Sequence, residues 1–234
     1  MSVALITGGS AGLGRALAHA LVERGWRVVI DARGAERLAD AVDHPAIVAI
    51  PGDVTDAGHR RALRAAVEAE GRLDLLVHNA STLGPVRPDT WLPRLADVTV
   101  DDLKLVWQTN LGAPLVLTAE LLPVLVANRG VLLSISSDAA VEHYPGWGLY
   151  GASKAGLDHL TLTFGAENAE ITAYAVDPGD MRTQMHQDAF PDEDISDRPL
   201  PAAVVPHLLA LLESRPPSGR YRAADIAVPA TVGG

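Results

Sequence analysis

VALITGGSAGLG, the sequence from Val3 to Gly14, joins a short apolar run to a glycine-rich turn. The run has the length and partly β-branched composition of a buried strand. After the turn, Leu13, Leu17 and Leu21 recur at the spacing that places side chains on one face of a helix. The stretch therefore predicts a strand, a tight turn and a helix, which is the opening unit of an α/β fold.

The glycines of this turn, Gly8, Gly12 and Gly14, also predict a ligand. Glycine lets the backbone turn sharply and approach a bound molecule without a Cβ clash. The following helix N-terminus offers free amides and a positive dipole to a pyrophosphate. The spacing is G-x-x-x-G-x-G rather than G-x-G-x-x-G, and without a following Lys-Ser/Thr pair it is not a P-loop. A turn that serves only packing is the alternative, but the place after a first strand favours a nucleotide site.

Short β-branched runs alternate with helical stretches along the rest of the chain. Thr55 is predicted to cap the third helix, and Gly112 and Pro114 are predicted to bend the long helix. The rhythm predicts a Rossmann-like, doubly wound parallel α/β sheet of about seven strands with helices on both faces. Strands are predicted at 3–7, 28–31, 46–50, 73–78, 131–136, 171–176 and 221–226, and helices at 12–24, 35–42, 55–70, 100–128, 149–168 and 204–213.

No polar linker or internal repeat divides the chain, so residues 1–234 are predicted to form one domain. A Pro-rich loop is expected from Gly84 to Pro93. Residues 180–199 are rich in Asp, Met and Pro and are predicted to be a substrate loop or lid.

Composition narrows the classes of partner. The net charge of −10 argues against nucleic acid and against an anionic membrane surface. The chain has no cysteine, which excludes disulfides and thiolate chemistry. Residues 1–7 lack the features of a signal peptide, and the apolar run 121–127 is too short to span a membrane, so a cytoplasmic location is expected. Eight histidines show no ligand spacing, so no catalytic metal is expected.

Tyr150 and Lys154 form a candidate acid–base pair, because the i, i+4 spacing places both on one helix face. A free phenol has a pKa near 10, too high for good proton exchange at neutral pH, and a neighbouring cation favours the phenolate. A solvated Tyr/Lys pair is the alternative for the motif taken alone.

Ser137 and Asn110 strengthen that interpretation. Ser137 follows the fifth predicted strand, at the sheet edge where α/β folds bind their ligands, and lies thirteen residues before Tyr150. Asn110 lies in the bent helical region beside Gly112. For either residue alone, capping and backbone bonding are the competing roles.

These motifs together resemble the short-chain dehydrogenase/reductase family in its single-domain form, over nearly the whole chain. The glycine turn and the residues Asn110, Ser137, Tyr150 and Lys154 occur in the family's order and with its gaps. Where the family has the motif Asn-Asn-Ala-Gly, this sequence has His78-Asn79-Ala80-Ser81. The resemblance implies that the cofactor-binding residues are Gly8, Ser10, Gly12, Leu13, Gly14, Arg33, Asp53, Val54, Asn79, Ala80, Tyr150, Lys154, Pro178, Gly179 and Thr183.

The resemblance also implies a mechanism and partners. Hydride passes between the nicotinamide and a small-molecule carbonyl or alcohol, with Tyr150 as general acid or base. Lys154 lowers the pKa of Tyr150 and holds the nicotinamide ribose, Ser137 orients the carbonyl, and Asn110 helps to hold a relay water. A homodimer or homotetramer is expected through the helices near 100–128 and 149–168, with Trp107, Leu111, Leu115 and Leu157 as apolar side chains in that region. A fainter resemblance to the sepiapterin reductases rests on residues 145–150 and 218–219.

The choice of cofactor depends on the end of the second strand. A carboxylate there favours NAD(H), and a guanidinium favours NADP(H). Counted from Gly25, the family's acidic position falls at Ala32 and its phosphate-binding arginine at Arg33. Because successive strand residues point to opposite faces, Asp31 is expected to face away from the site. Ala11 occupies a position that is basic in many NADP(H) users. NADP(H) is therefore favoured, and NAD(H) remains possible.

Two other functions fit parts of the sequence. A non-catalytic redox sensor has no need of Ser137, Tyr150 and Lys154 together. A sugar-nucleotide epimerase or dehydratase usually carries a larger C-terminal domain than 234 residues allow.

Overall fold

The computed structural model describes residues 1–85 and 92–229, and seven parallel strands in it form one sheet. The sheet order is β3-β2-β1-β4-β5-β6-β7. The doubly wound α/β fold predicted from the sequence is thus confirmed, with the expected number of strands. The strands are β1 (Val3–Ile6), β2 (Arg27–Ala32), β3 (Ile47–Pro51), β4 (Leu75–His78), β5 (Val131–Ile135), β6 (Thr172–Asp177) and β7 (Gly219–Arg222).

Helices cover both faces of this sheet. One apolar cluster joins the sheet to α1, α2 and α8, and another joins it to α3, α5 and α6. The helices are α1 (Gly12–Val22), α2 (Ala35–Ala39), α3 (Ala57–Glu70), α4 (Val100–Trp107), α5 (Ala113–Ala127), α6 (Gly148–Glu167), α7 (Gln184–Ala189) and α8 (Pro201–Ser214).

The alternation of side chains along β1 explains why a continuous apolar run is needed. Ala4 and Ile6 belong to the first cluster, whereas Leu5 between them belongs to the second. A strand buried on both faces has no polar side, so its sequence reads as an unbroken apolar run.

The sheet order also decides where a ligand binds. The chain runs outward from β1 to β3 and then returns to place β4 on the other side of β1. The connections therefore diverge at β1 and β4, and a crevice opens beyond the carboxyl ends of these strands.

Several local predictions differ from the structure. Asp56, not Thr55, caps α3, because its side chain accepts from the His59 amide at 2.7 Å. β7 lies earlier than predicted, since Ala223–Asp225 is a 3-10 turn. The loop at 180–199 contains α7. Of the predicted Pro-rich loop, residues 86–91 lie outside the described residues.

The long helix at 100–128 is divided rather than merely bent. A π-helical segment, Gln108–Gly112, separates α4 from α5. Pro114 occupies the first turn of α5, where a missing amide costs nothing, and α5 continues through Pro123. By length and composition the stretch Val100–Ala127 is apolar enough to cross a membrane, as core helices of soluble proteins also are.

Candidate active site

A cavity of about 870 Å³ lies beyond the carboxyl ends of β1, β2, β4, β5 and β6. Most of the predicted site residues meet there, although they come from separate parts of the sequence. Gly14 and Asn110 do not line it, but each contacts a residue that does, Asn79 and Ser81 respectively. The predicted residues that line it are Gly8, Ser10, Gly12, Leu13, Arg33, Asp53, Val54, Asn79, Ala80, Ser137, Tyr150, Lys154, Pro178, Gly179 and Thr183.

The glycine turn has the backbone that a bound pyrophosphate needs. Gly8 and Gly12 have φ values of +69° and +57°, which L side chains rarely adopt. A Cβ on Gly8 would lie 2.9 Å from Ala80 Cα. Among the described residues, no side chain caps the N-terminus of α1, and its first turn has no acidic residue. The first amides of α1 and its dipole are therefore free for an anion, and the turn fits a dinucleotide.

Asn79 and Gly14 fix the shape of this turn. Asn79 Nδ2 donates to the carbonyl oxygens of Thr7 (2.9 Å) and Gly8 (3.0 Å). A Cβ on Gly14 would lie 2.5 Å from the same Nδ2 atom. Gly14 is thus required for packing, whereas Gly8 and Gly12 line the cavity.

Asp31 is buried at the end of β2 but lines the cavity, so the prediction that it faces away from the site is wrong. Its carboxylate is nevertheless bonded within the protein. Oδ1 accepts from the Gly8 amide at 2.7 Å, and Oδ2 lies 2.9 Å from His59 Nε2. The carboxylate holds the glycine turn against β2.

Arg33 and Asp53 lie in the same part of the cavity wall. Burial raises the pKa of Asp53, but hydrogen bonds from Thr55 and the charges of Arg33 and His59 outweigh it and leave that pKa below its ordinary value. Asp53 is thereby held as a carboxylate. Arg37, in α2 and four residues after Arg33, also lines the wall and was not predicted from the sequence.

Tyr150 begins the functional part of α6 and is 7% exposed. Burial raises its pKa well above the ordinary value, while hydrogen bonds with the Ser81 and Ser137 hydroxyls act in the opposite direction. The bond to Ser137 joins two of the residues that were predicted to act together. In the protein alone, the phenol is therefore a proton donor rather than a phenolate.

Lys154 lies one turn further along α6, and its Nζ atom is 5.6 Å from the centre of the Tyr150 ring. The ammonium donates to the Ile135 carbonyl oxygen at 2.8 Å. Burial lowers the pKa of Lys154 to about 8, and the negative charge of Asp158 opposes that shift.

Ser137 caps the short 3-10 turn Asp138–Ala140. Its Oγ accepts from the Ala139 amide at 3.2 Å and donates to Asp138 Oδ1 at 3.1 Å. The capping role and the contact with Tyr150 thus occur together in one side chain.

Asn110 is buried in the π-helical segment and does not reach the cavity. Its Oδ1 accepts from the Thr82 amide at 2.8 Å and from Ser81 Oγ at 3.2 Å. Its Nδ2 donates to the Thr82 carbonyl oxygen (2.8 Å) and to Ser153 Oγ (3.0 Å). The side chain therefore fixes the loop after β4 against α6.

The two departures from the family's Asn-Asn-Ala-Gly motif have different consequences. His78 points away from the cavity, with Nε2 2.6 Å from Thr118 Oγ1. Burial and the charge of Lys154 lower the pKa of His78 to about 3, so the ring is neutral. Ser81 lines the cavity and links Tyr150 to Asn110.

An aromatic cluster forms another part of the wall. The Trp147 ring meets Tyr150 edge-on at 5.6 Å and lies 5.8 Å from Phe190. The His186 ring lies 5.0 Å from the Phe190 ring and is tilted by 39° to it, and Met185 packs on this cluster. Sequence patterns do not join residue 147 to residues 185–190, so only the fold reveals this apolar wall. Among the described residues, no group of three or more His, Asp or Glu side chains is arranged to hold a metal ion.

Known proteins are similar to this chain in both sequence and fold. The family model for short chain dehydrogenases matches residues 2–194. A 3-oxoacyl-(acyl-carrier-protein) reductase of Staphylococcus aureus is 34% identical over 200 residues, which cover 81% of this chain and 78% of the relative.

Solved structures agree with this match. A structure from Pseudomonas syringae described as a short chain dehydrogenase has a TM-score of 0.87, with 32% identity over 95% of this chain and 94% of that one. A Shigella flexneri structure of the same description, solved with NADP, has a TM-score of 0.85, with 28% identity over 95% of this chain and 97% of that one. This chain belongs to the short-chain dehydrogenase family of NAD(P)-dependent oxidoreductases, which interconvert alcohols and carbonyl compounds.

Proposed function

We propose that the chain is an NADP(H)-preferring reductase or dehydrogenase of a small-molecule carbonyl/alcohol pair, with Tyr150 as its general acid and base. The observation that carries this proposal is that Tyr150, Ser137 and Lys154 line the same cavity as the glycine turn, with Lys154 Nζ 5.6 Å from the centre of the Tyr150 ring. The redox-sensor alternative offers no reason for this arrangement.

The proton steps follow from the two hydroxyls. When bound, the nicotinamide cofactor supplies or accepts the hydride. During reduction, Tyr150 Oη gives its proton to the substrate oxygen as negative charge develops there. Ser137 Oγ donates a hydrogen bond to the same oxygen, and Asp138 Oδ1 then loses the bond that it receives in the free protein. The reverse proton transfer serves alcohol oxidation.

Lys154 makes these steps feasible at neutral pH. Its ammonium stabilises the phenolate that forms when Tyr150 loses its proton. We assign Asn110 a positioning role, because its side chain holds the loop that carries Ser81 against α6. The water relay through Lys154 implied by the family remains a proposal.

Three features support a preference for NADP(H). Both carboxylate oxygens of Asp31 are already bonded, one to the Gly8 amide and one to His59, which disfavours a further bond from a ribose hydroxyl. Arg33 and Arg37 line the same region and can bind a 2′-phosphate with charge-assisted bonds. The Shigella flexneri relative was solved with NADP.

The experiment that tests the function is a screen of carbonyl compounds and alcohols with NADPH, NADP⁺, NADH and NAD⁺, followed by absorbance of the reduced nicotinamide. The apolar wall of Trp147, Phe190 and Met185 favours ketones and aldehydes with a hydrophobic substituent. Binding of NADPH without turnover of any compound would favour the redox sensor instead.

Ser81→Ala is expected to shift the pH profile of alcohol oxidation to higher pH. The Ser81 hydroxyl bond opposes the rise in the pKa of Tyr150. Its loss raises that pKa, and oxidation requires the basic form of Tyr150. One hydrogen bond is worth about 1 kcal/mol, so the acidic limb of the oxidation profile should move up by about 0.7 pH unit.

The matched control is Thr82→Ala, which removes the neighbouring hydroxyl that bonds to Gly84 at 3.2 Å. An identical profile in Ser81→Ala and wild type would show that Ser81 does not act on Tyr150.

We propose that residues 180–199 act as a substrate lid of the single domain. Met181, Met185 and Phe190 line the cavity, and Met side chains adapt to different shapes. Cofactor and substrate together should slow proteolysis of this segment relative to the free protein. Equal cleavage rates with and without ligands would contradict a lid.

We propose a homodimer or homotetramer formed through α4 and α5. Leu103, Leu105, Trp107 and Leu115 are each 40–41% exposed there. Leu157, which was predicted to contribute, is instead 3% exposed and belongs to the core. Light scattering at micromolar concentration should give a multiple of 24.6 kDa, and a monomeric mass would refute the assembly.

The remaining expectations about partners and location stay proposals. The net charge of −10 disfavours nucleic acid and anionic membranes as partners. A chain without cysteine has no need of an oxidising compartment, which is consistent with a cytoplasmic location.

A further inference from the structure

Two buried carboxylates and a partly buried guanidinium form a group of charges at and behind the wall of the cavity. Arg220, on β7, donates from Nε to Asp158 Oδ2 at 3.0 Å and from Nη2 to the Ser137 carbonyl oxygen at 2.8 Å. Its Nη2 also lies 3.8 Å from Asp177 Oδ2. One guanidinium thus connects the backbone of Ser137 to two carboxylates. Arg220 lies beyond residues 2–194, so the family match does not include it.

Asp158 depends on this guanidinium. The residue is 7% exposed and follows Lys154 by one helical turn on α6. Ser136 Oγ donates to Oδ2 at 2.8 Å, while Oδ1 has no hydrogen-bond partner among the described residues. A buried carboxylate with one oxygen unpaired is costly unless a cation balances it. Burial raises the pKa of Asp158, and the Ser136 and Arg220 bonds with the charges of Arg220 and Lys154 oppose that rise.

Lys154 receives opposing influences from the elements around it. Asp158 on α6 favours the ammonium, whereas burial disfavours it. His78 on β4 is neutral, and Ile135 on β5 accepts a hydrogen bond. On the side of β6 and β7, Asp177 pairs with Arg220 and with Arg222 (3.9 Å). Of the carboxylates around Lys154, Asp158, one helical turn away on α6, is therefore the one that favours its ammonium form against burial.

We propose that Asp158, held ionised by Arg220, is a positioning residue that keeps Lys154 in its ammonium form for proton transfer at Tyr150. The proposal rests on the proposed function only in its last step. Arg220 carries a second role, because its bond to the Ser137 carbonyl fixes the backbone from which the Ser137 hydroxyl projects. The predicted catalytic set is thus completed by a charge pair that lies behind it and does not line the cavity.

The lysine content of the chain allows a direct test. Lys104 and Lys154 are its lysines, and the Lys104 side chain is 62% exposed. NMR titration of protein labelled at lysine should therefore give two resonances, one of which is an internal reference. In wild-type protein without ligands, the Lys154 signal should titrate near its pKa of about 8.

Asp158→Asn should lower the Lys154 midpoint by about one pH unit, a tenfold change in proton affinity. Arg220→Gln should lower it in the same direction, because Asp158 without its cation takes up a proton. Arg222→Gln is the matched control, since this exposed arginine of the same strand reaches Asp177 but neither Asp158 nor Ser137. It should leave the midpoint unchanged. Arg220→Lys keeps the positive charge but loses the guanidinium that bonds to Asp158 and Ser137 at once. Its Lys154 midpoint should lie between those of wild type and Arg220→Gln.

A second readout connects the pair to catalysis. The alkaline limb of kcat/KM for carbonyl reduction should move to lower pH in Asp158→Asn by the same interval as the Lys154 midpoint. A purely structural role would lower stability without moving either titration. An unchanged Lys154 midpoint in folded Asp158→Asn, or in Arg220→Lys and Arg220→Gln alike if Asp158→Asn does not fold, would overturn the proposal. A shifted midpoint in a protein that turns over no carbonyl compound would contradict the proposed function and leave the coupling intact.

Discussion

Tyr150→Phe is expected to reduce turnover by about 10²–10⁴-fold, the contribution typical of a general acid or base. Phenylalanine keeps the ring that packs edge-on against Trp147 and removes only the hydroxyl that contacts Ser81 and Ser137. The fold and the glycine turn should be unaffected, so affinity for NADPH should stay close to that of wild type. The measurement is kcat with the best substrate of the screen, together with NADPH binding by fluorescence.

Tyr221→Phe is the control for the loss of a phenol elsewhere. Its hydroxyl donates to the Pro217 carbonyl oxygen at 2.7 Å, and the residue does not line the cavity. We expect wild-type turnover from this variant. Turnover by Tyr150→Phe within a few-fold of wild type would exclude Tyr150 as the proton donor.

Arg33→Ala is expected to cost about 1.5–3 kcal/mol with NADPH and little with NADH, because a charge-assisted bond to the 2′-phosphate is lost. This corresponds to a fall of about 10- to 150-fold in kcat/KM for NADPH. Loss of Arg33 also removes a positive charge that helps to hold Asp53 ionised. The measurement is kcat/KM for both cofactors in wild type and variant.

Arg24→Ala controls for a general change of charge, since Arg24 pairs with Glu213 (3.7 Å) and does not line the cavity. Its cofactor preference should equal that of wild type. A wild type that prefers NADH, or an unchanged preference in Arg33→Ala, would mean that Arg33 does not read the phosphate. Arg37 would then be the arginine to replace, because it lines the same wall.

Local sequence determined the elements and the family. The apolar run before Gly8 predicted a buried strand, and glycine at positions 8 and 12 matches positive φ values. Such signals are local, because backbone conformation depends on neighbouring residues and on the glycines themselves. The motif of Tyr150 and Lys154 is equally local, since helical periodicity places both on one face.

Element boundaries were less secure where two residues compete for one role. Thr55 and Asp56 both carry side chains that can cap a helix, and the structure chose Asp56. Near Asn110 the sequence indicated a bend, but not the π-helical segment that directs this side chain to Thr82 and Ser153. The choice of cap depends on a bond to the His59 amide three residues away, whereas the direction of Asn110 depends on bonds to partners 28 and 43 residues away.

Only the tertiary structure decided which partners the buried charged side chains have. The sequence predicted that Asp31 faces away from the cofactor pocket, whereas in the fold it lines the cavity and bonds to the Gly8 amide and to His59. Asp158 and Arg220 are separated by 62 residues and meet because α6 packs beside β7. The free energy of each charged group depends on its burial and on the partners that folding brings to it. A local sequence pattern encodes neither burial nor distant partners. The chain's motifs thus identify the family and its reacting groups, whereas packing determines which carboxylates remain free for a ligand and which serve the protein's own charges.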